Sequence, residues 1–170
     1  AGQVRQSIHD LFFSEAQGYL SDCLHADPGT PAAAATADNA LRPNQLFALT
    51  LGAVTDKTAA ERILFACQEL IVPGAIRSLA DRPIEPALPV YHNGVLVNNP
   101  ESPYVGVYGG DEDTRRKPAY HNGTAWTWVF PSFCEAWAAC FGSGEVETAL
   151  AWLASSSRLI DDGCVGHVPE

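Results

Sequence analysis

Between residues 80 and 118 six prolines (Pro83, Pro86, Pro89, Pro100, Pro103 and Pro118) and several glycines interrupt the chain, and no helical period runs through them. Each proline fixes φ and removes a backbone donor, so neither a long helix nor a central strand crosses such a stretch. A connection of this length inside a compact domain is functional, or it conceals elements that its pattern does not announce. One element does announce itself. Asn93-Gly94, between Val90-Tyr91 and Val95-Leu96-Val97, predicts a tight type I′ β-hairpin. The word Tyr-His-Asn-Gly within it, at 91–94, recurs at 120–123.

On both sides of this connector the patterns are helical. Residues 8–13 suit the tail of a helix, and Tyr19 and Leu20 a short turn or strand. Residues 26–40, "ADPGTPAAAATADNA", predict a surface loop whose alanines equally suit a helical turn. Pro43 suits a first helical position, and Leu46, Phe47, Leu49, Leu51 and Val54 make the following helix apolar on most sides, hence buried. A second helix follows, with Thr58 and Glu61 as a capping box, Ile63, Leu64, Cys67, Leu70 and Ile71 on one face, and Pro73-Gly74 as its stop. A third is expected over residues 124–140, kinked at Pro131, with Trp128, Phe133, Trp137 and Phe141 largely on one side. A fourth covers 143–157, with Glu145 and Glu147 in its first turn and Val146, Leu150 and Leu153 facing inward. Paired apolar helices with few strands predict an all-α architecture of stacked hairpins.

Composition narrows the function classes. At 170 residues the chain suits one domain, and a net charge of -10 disfavours nucleic acid as a partner. The one basic cluster, Arg115-Arg116-Lys117, is offset by Asp111, Glu112 and Asp113. No apolar run approaches bilayer length, and no signal-peptide pattern opens the chain, so no membrane partner is expected. Five cysteines without a Cys-x-x-Cys pair predict free thiols in a cytoplasmic protein. The histidines (9, 25, 92, 121 and 167) are dispersed, with no His-x-x-x-His or Cys-x-x-Cys pair, so no zinc site is expected. The start on Ala1, the lack of methionine and the final "GHVPE" lead to the expectation of a portion of a longer protein.

The candidate site residues fall where elements begin or end. "ALRPNQLFAL" carries Arg42, Asn44 and Gln45, "IRSLAD" carries Arg77 and Ser78, and "AYHNGTAWTW" carries Tyr120, His121, Asn122, Trp126 and Trp128. Aromatic faces with amides, guanidinium forks and an imidazole suit a sugar, whose apolar ring face stacks while its hydroxyls find polar partners. A nucleotide fits less well, because "GVYGGDED" is neither a dinucleotide fingerprint nor a phosphate loop. Of the two tryptophans one is expected in the core and the other against a ligand, while arginines placed as Arg42 and Arg77 are more often satisfied by neighbouring loops than by substrate. Glycosidic chemistry needs two carboxylates. Spacing does not choose among Asp38, Asp81, Asp111, Asp113, Asp161, Asp162 and Glu170.

The ordered blocks "LRPNQLFAL", "IRSLAD" and "AYHNGTAWTWVFPSFCEA" resemble the C-terminal domain of glycogen debranching enzymes, the amylo-α-1,6-glucosidase part, in outline over residues 19–170. The resemblance implies part of an (α/α)6 toroid, akin to glucoamylases and trehalases, whose upstream part is absent from this chain. It also implies hydrolysis of α-1,6-linked glucose at the branch points of glycogen or limit dextrin, without cofactor. The implied mechanism is inverting, with an aspartate acid and a glutamate base roughly 6.5–9.5 Å apart. Pro169-Glu170 matches the base motif, which makes Glu170 the implied catalytic residue. The acid belongs to no aspartate of this chain, so the isolated chain is expected to be inactive. Arg42, Asn44, Gln45, Arg77, Tyr120, His121 and Trp126 fall in blocks that line the family's sugar crater.

Three departures stand out. The family's usual "acidic-x-Ala-Tyr-His-Gln-Gly-Thr-Val-Trp" has Lys117 and Asn122 here, and residues 82–103 form a longer loop, suited to a lid or an oligomer contact. A chain this short also supplies too few helices to close a toroid, so an exposed apolar flank and self-association are expected. Two alternatives stand beside this reading: another toroidal glycosidase, glucoamylase-like or trehalase-like, and a non-catalytic glucan-binding or assembly module.

Overall fold

The computed structural model describes residues 2–162, so Cys164, His167 and Glu170 lie outside the described residues. The first helix, α1 (Gly2–Phe12), runs into β1 (Phe13–Ser14), which pairs with β2 (Tyr19–Leu20). Next, β3 (Leu24–His25) pairs with β4 (Thr36–Ala37), and the loop between them holds one 3-10 turn at Ala32–Ala34, the turn its alanines suited. A 3-10 turn at Pro43–Gln45 leads into the short α2 (Leu46–Thr50), and α3 (Lys57–Cys67) follows. Then β5 (Ile71–Val72) and β6 (Ala75–Arg77) form a hairpin. Within the connector, β7 (Tyr91–His92) and β8 (Val95–Leu96) form another, and α4 (Lys117–Tyr120) closes it after a π turn at Glu112–Arg116. Finally β9 (Ala125–Trp126) joins β6, and α5 (Phe130–Phe141) and α6 (Val146–Ala154) complete the order.

The core lies among α2, α3, α5 and the three-stranded β5–β6–β9 sheet. Leu46, Ile63, Leu64, Ile76, Phe130 and Phe133 are fully enclosed, and each such side chain contributes about 1.5–3 kcal/mol of transfer free energy. The expected face of α3 is observed as far as Cys67, with Ile63, Leu64 and Cys67 buried; Leu70, also buried, lies in a 3-10 turn, and Ile71 has left the helix for β5. The connector hairpin is also as expected: Asn93 (φ 48) and Gly94 (φ 78) both adopt the left-handed conformation that a type I′ turn requires.

The architecture itself is mixed α/β, with nine strands of two or three residues in four small sheets among the described residues, which overturns the expected all-α partial (α/α)6 toroid. Strands this short carry no readable alternation. They form because the backbone groups flanking prolines and glycines still need partners, and short ladders supply them. The third helix shows the effect. Residues 124–129 stay outside it because Ala125 and Trp126 are captured along the edge of β6, opposite Arg77 and Ile76. Helix α5 then starts at Phe130 with Pro131 in its first turn, where a missing N–H costs nothing, so Pro131 is no kink.

Three local expectations also change. Asp56 caps α3 by accepting from Ala59 N at 2.7 Å, so the Thr58–Glu61 box is not the cap. Pro73-Gly74 does not simply end a helix but forms the β5–β6 turn, with Gly74 at φ 80. In α6 the inward residues are Ala149 and Trp152, while Val146, Leu150 and Leu153 face solvent. That helix is apolar on almost every side, so its period names no face.

Candidate functional site

The second Tyr-His-Asn-Gly does not precede a helix. It ends α4, and Asn122, Gly123 and Thr124 form a buried turn into β9. Four hydrogen bonds to three neighbours pin this turn. Ser78 N donates to Thr124 O at 2.9 Å, Gly123 N to Ser78 Oγ at 2.9 Å, Val105 N to Asn122 O at 2.6 Å, and Asn122 Nδ2 to Pro118 O at 2.8 Å. Gly123 is required by geometry: its φ is 145, and a Cβ there would collide with the Val105 carbonyl. The long connector therefore acts as a strap. Its residues 104–108 cross the turn, and Tyr108 sets its ring 5.9 Å from that of Tyr120.

Arg42 is the hub. Pro43 starts a helical turn, so Arg42 stays extended and sends its side chain inward. Nη1 donates to the carbonyls of Ser78 (3.2 Å) and His121, Nη2 donates to Asn122 Oδ1 at 2.8 Å, and Nε lies 3.1 Å from Asp22 Oδ2, an ion-pair contact too bent for a hydrogen bond. The three blocks that lie apart in sequence are thus tied by one buried guanidinium, as its planar fork of donors permits. Gln45 is also spent on the protein, donating to Arg42 O at 2.8 Å and accepting from Leu20 N at 3.0 Å.

Over this hub opens a cleft of about 390 Å³. Asn44, Tyr120, His121, Trp126 and Arg42 line it, together with Asp22, Leu88 and Trp128. Gln45 sits behind its wall, and Arg77 is not among its lining residues, so the structure brings together five of the seven expected binding positions. Trp126 is 6% exposed and donates from Nε1 to Tyr120 O at 3.1 Å, whereas Trp128 is 60% exposed. The indole of Trp128 lies nearly parallel to Phe47 (17°, 6.2 Å between centroids), which leaves its other face open. Tyr120 meets both His121 and Trp126 edge-on at 4.6 and 4.7 Å. One tryptophan in the core and one at the surface is the expected division, and the exposed one is Trp128.

Asp22 is the carboxylate of the cleft lining, and sequence reasoning missed it. Its neighbour "LSDC" carries no spacing signal, because the partner that fixes Asp22, Arg42, lies in the next block. Asp38 is buried and accepts from Asp22 N at 2.9 Å and Cys23 N at 3.1 Å, so it aims this segment rather than facing the cleft. The other described carboxylates considered from the sequence, Asp81, Asp111, Asp113, Asp161 and Asp162, do not line the cleft. Asp111 caps the π turn, and its carboxyl is held below the ordinary range by the Thr114 hydroxyl and then by the Thr114 amide. Asp113 pairs with Lys117.

Asp22, Cys23 and Asp38 are also the described residues whose donor atoms cluster as metal ligands do, within 4.8 Å. Arg42 and two backbone amides already engage the two carboxylates. Burial, then Asp22, then Asp38 push the Cys23 thiol up, which disfavours the thiolate a metal would need. No helix among the described residues is long and apolar enough to cross a membrane.

Chemically, the cleft offers a flat indole, a phenol, an imidazole, an amide and a carboxylate around a floor whose guanidinium is already committed. Such a surface stacks a ring and hydrogen-bonds hydroxyls. Among known proteins, the sequence model of the family described as amylo-alpha-1,6-glucosidase matches residues 1–170. No curated protein and no solved structure matches the chain.

Proposed function

The chain belongs to the amylo-α-1,6-glucosidase family, and from that premise we propose that it supplies one wall of the sugar site of an α-glucan debranching glycosidase. Membership places it among glycosidase-type debranching domains acting on branched glucan. The observation that carries the finer reading is the cleft, where an open indole face stands beside Asn44, Tyr120, His121 and Asp22. In this reading Trp128 stacks on the apolar face of a glucosyl ring while Asn44, His121 and Asp22 meet its hydroxyls. Arg42 and Gln45 are positioning residues, since their polar atoms already hold the walls. Trp126 supports Tyr120 from behind.

Catalysis follows the inverting scheme. A general acid protonates the leaving oxygen, and Glu170, outside the described residues, acts as the base that activates water on the opposite face of the ring. The acid is assigned to no aspartate of these 170 residues. This reading takes the chain as part of one larger glycosidase domain, active in the cytoplasm, with glycogen or limit dextrin as substrate and no cofactor. Leu150 and Leu153, exposed on α6, give it a surface for self-association.

Two substitutions test the reading. Trp128→Ala weakens retention on a glucan affinity gel by about threefold to tenfold, in line with the loss of one aromatic face. Unchanged mobility would remove the platform from the site. In the full-length protein, Glu170→Gln stops glucose release from limit dextrin and leaves glucan affinity nearly intact. Release within a few-fold of the unaltered protein would take the base role from Glu170.

A further inference from the structure

The dipeptide Asn-Gly occurs twice in the chain, each time within Tyr-His-Asn-Gly, at 91–94 and 120–123. Asn-Gly has an open route to its own rearrangement. The backbone nitrogen after an asparagine attacks that side chain's Cγ and closes a five-membered succinimide ring. A following glycine, which lacks a Cβ, obstructs this least. The shared tetrapeptide gives the two copies equal local reactivity, but the fold treats them oppositely.

In the second copy every reacting group is engaged. Asn122 is buried, its Oδ1 accepts from Arg42 Nη2 at 2.8 Å, and its Nδ2 donates to Pro118 O at 2.8 Å. The nitrogen that would attack, Gly123 N, donates to Ser78 Oγ at 2.9 Å. Attack breaks all three bonds, and each buried group left unpaired costs about 1–3 kcal/mol.

In the first copy the same groups are open. Asn93 and Gly94 form the exposed tip between β7 and β8, closed by the pair His92 and Val95. The hydrogen bond of such a turn joins its first and last residues, so it leaves the Gly94 amide out. Attack requires rotation about the Asn93 Cα–C bond. No atom among the described residues lies within 4 Å of a Cβ placed on Gly94, so nothing packs against the tip to resist it. His92 Nε2 lies 2.9 Å from Asn93 Nδ2, the atom that leaves.

We infer that Asn93-Gly94 is a self-modification site, converted through a succinimide to aspartyl and isoaspartyl forms, with His92 as proton donor to the leaving nitrogen. Gly94 N forms the new bond to Cγ and gives its proton to water. The Cγ–Nδ2 bond breaks, and Nδ2 takes a proton from the His92 ring and departs as ammonia. The protonated water then restores the ring's proton. A second water opens the succinimide. Cleavage at Cγ leaves aspartate, and cleavage at the main-chain carbonyl leaves isoaspartate. Both products add a negative charge at the tip. Isoaspartate also adds a carbon to the backbone of a turn whose length sets the register of β7 against β8.

Incubation of the full chain at neutral pH tests this, with peptide mapping by mass and chromatographic separation of aspartyl from isoaspartyl peptides. In the native protein Asn93 converts at least about tenfold faster than Asn122. In concentrated urea the two rates come within about threefold of each other, because the shared tetrapeptide alone then decides. His92→Ala slows native conversion of Asn93 by about threefold or more and leaves Asn122 as it was. Equal native rates overturn the site, and a gap that persists in urea overturns its structural cause. An unchanged rate in His92→Ala overturns the proton transfer.

Discussion

Arg42 shows how one residue sets a site without facing its ligand. The residue is 9% exposed, and its guanidinium joins blocks that begin at 41, 76 and 119 in the sequence. Removing it leaves Asn122 and two carbonyls without their donor and Asp22 without its ion-pair partner, so Arg42→Ala costs on the order of 3 kcal/mol in chemical denaturation. Arg42→Lys rescues little of this, because a single ammonium cannot serve acceptors spread around a planar fork. A loss below about 0.5 kcal/mol would show that the hub is not structural. Gly123 is as local and as strict. Gly123→Ala meets both an unfavourable φ and the Val105 carbonyl, and destabilises by about 1–3 kcal/mol. A melting temperature unchanged from that of the unaltered protein would mean that the strap simply lifts away. Neither residue carries a warning in its own neighbourhood, since a buried arginine and a surface arginine read alike in a sequence.

At the scale of elements, the strap over residues 80–118 turns proline content into architecture. It provides the predicted hairpin, Leu88 for the cleft, Val105 for the pinned turn, and a π turn that starts on Asp111. Asp111 titrates below its ordinary value because the Thr114 hydroxyl and then the Thr114 amide bond its charged form. A depressed folded-state value means that the cap contributes above the unfolded value, near pH 4, and is lost as pH falls through the lower folded value. The amide resonances of Asp113 and Thr114 therefore move toward unstructured positions in acid below about pH 4. Positions constant down to about pH 2 would show that the turn does not depend on the charge. Helix α6 teaches the opposite lesson. Its residues are apolar nearly all round, so the choice of Ala149 and Trp152 for the inward face follows from where the groove beside α5 lies.

Among the described residues the molecule has a well-enclosed core, while α6 leaves an apolar flank open. Burial keeps Cys67 a thiol by pushing it far up, and pushes Cys134 up to about 11. At neutral pH both resist alkylation until the core opens, so their labelling rate reports global unfolding. Labelling of Cys67 in native protein as fast as that of exposed Cys23 would contradict the enclosed core. Leu150 on the open flank is 57% exposed, and Leu150→Glu changes stability by less than about 0.5 kcal/mol while shifting sedimentation toward the monomer. Identical sedimentation would show that the flank does not associate. The sequence by itself determined what local chemistry can write: the type I′ hairpin at Asn93-Gly94, the buried face of α3, the helical turn after Pro43, and blocks specific enough to resemble the right family. Only the tertiary structure decided that the fold is mixed rather than all-α, that Trp128 rather than Trp126 faces outward, and that Asp22 is the carboxylate of the cleft. Turns, caps and amphipathic faces are set by neighbours along the chain. Two-residue strands, a buried ion pair and the outward face of an indole are set by residues distant in sequence, and no local period records them.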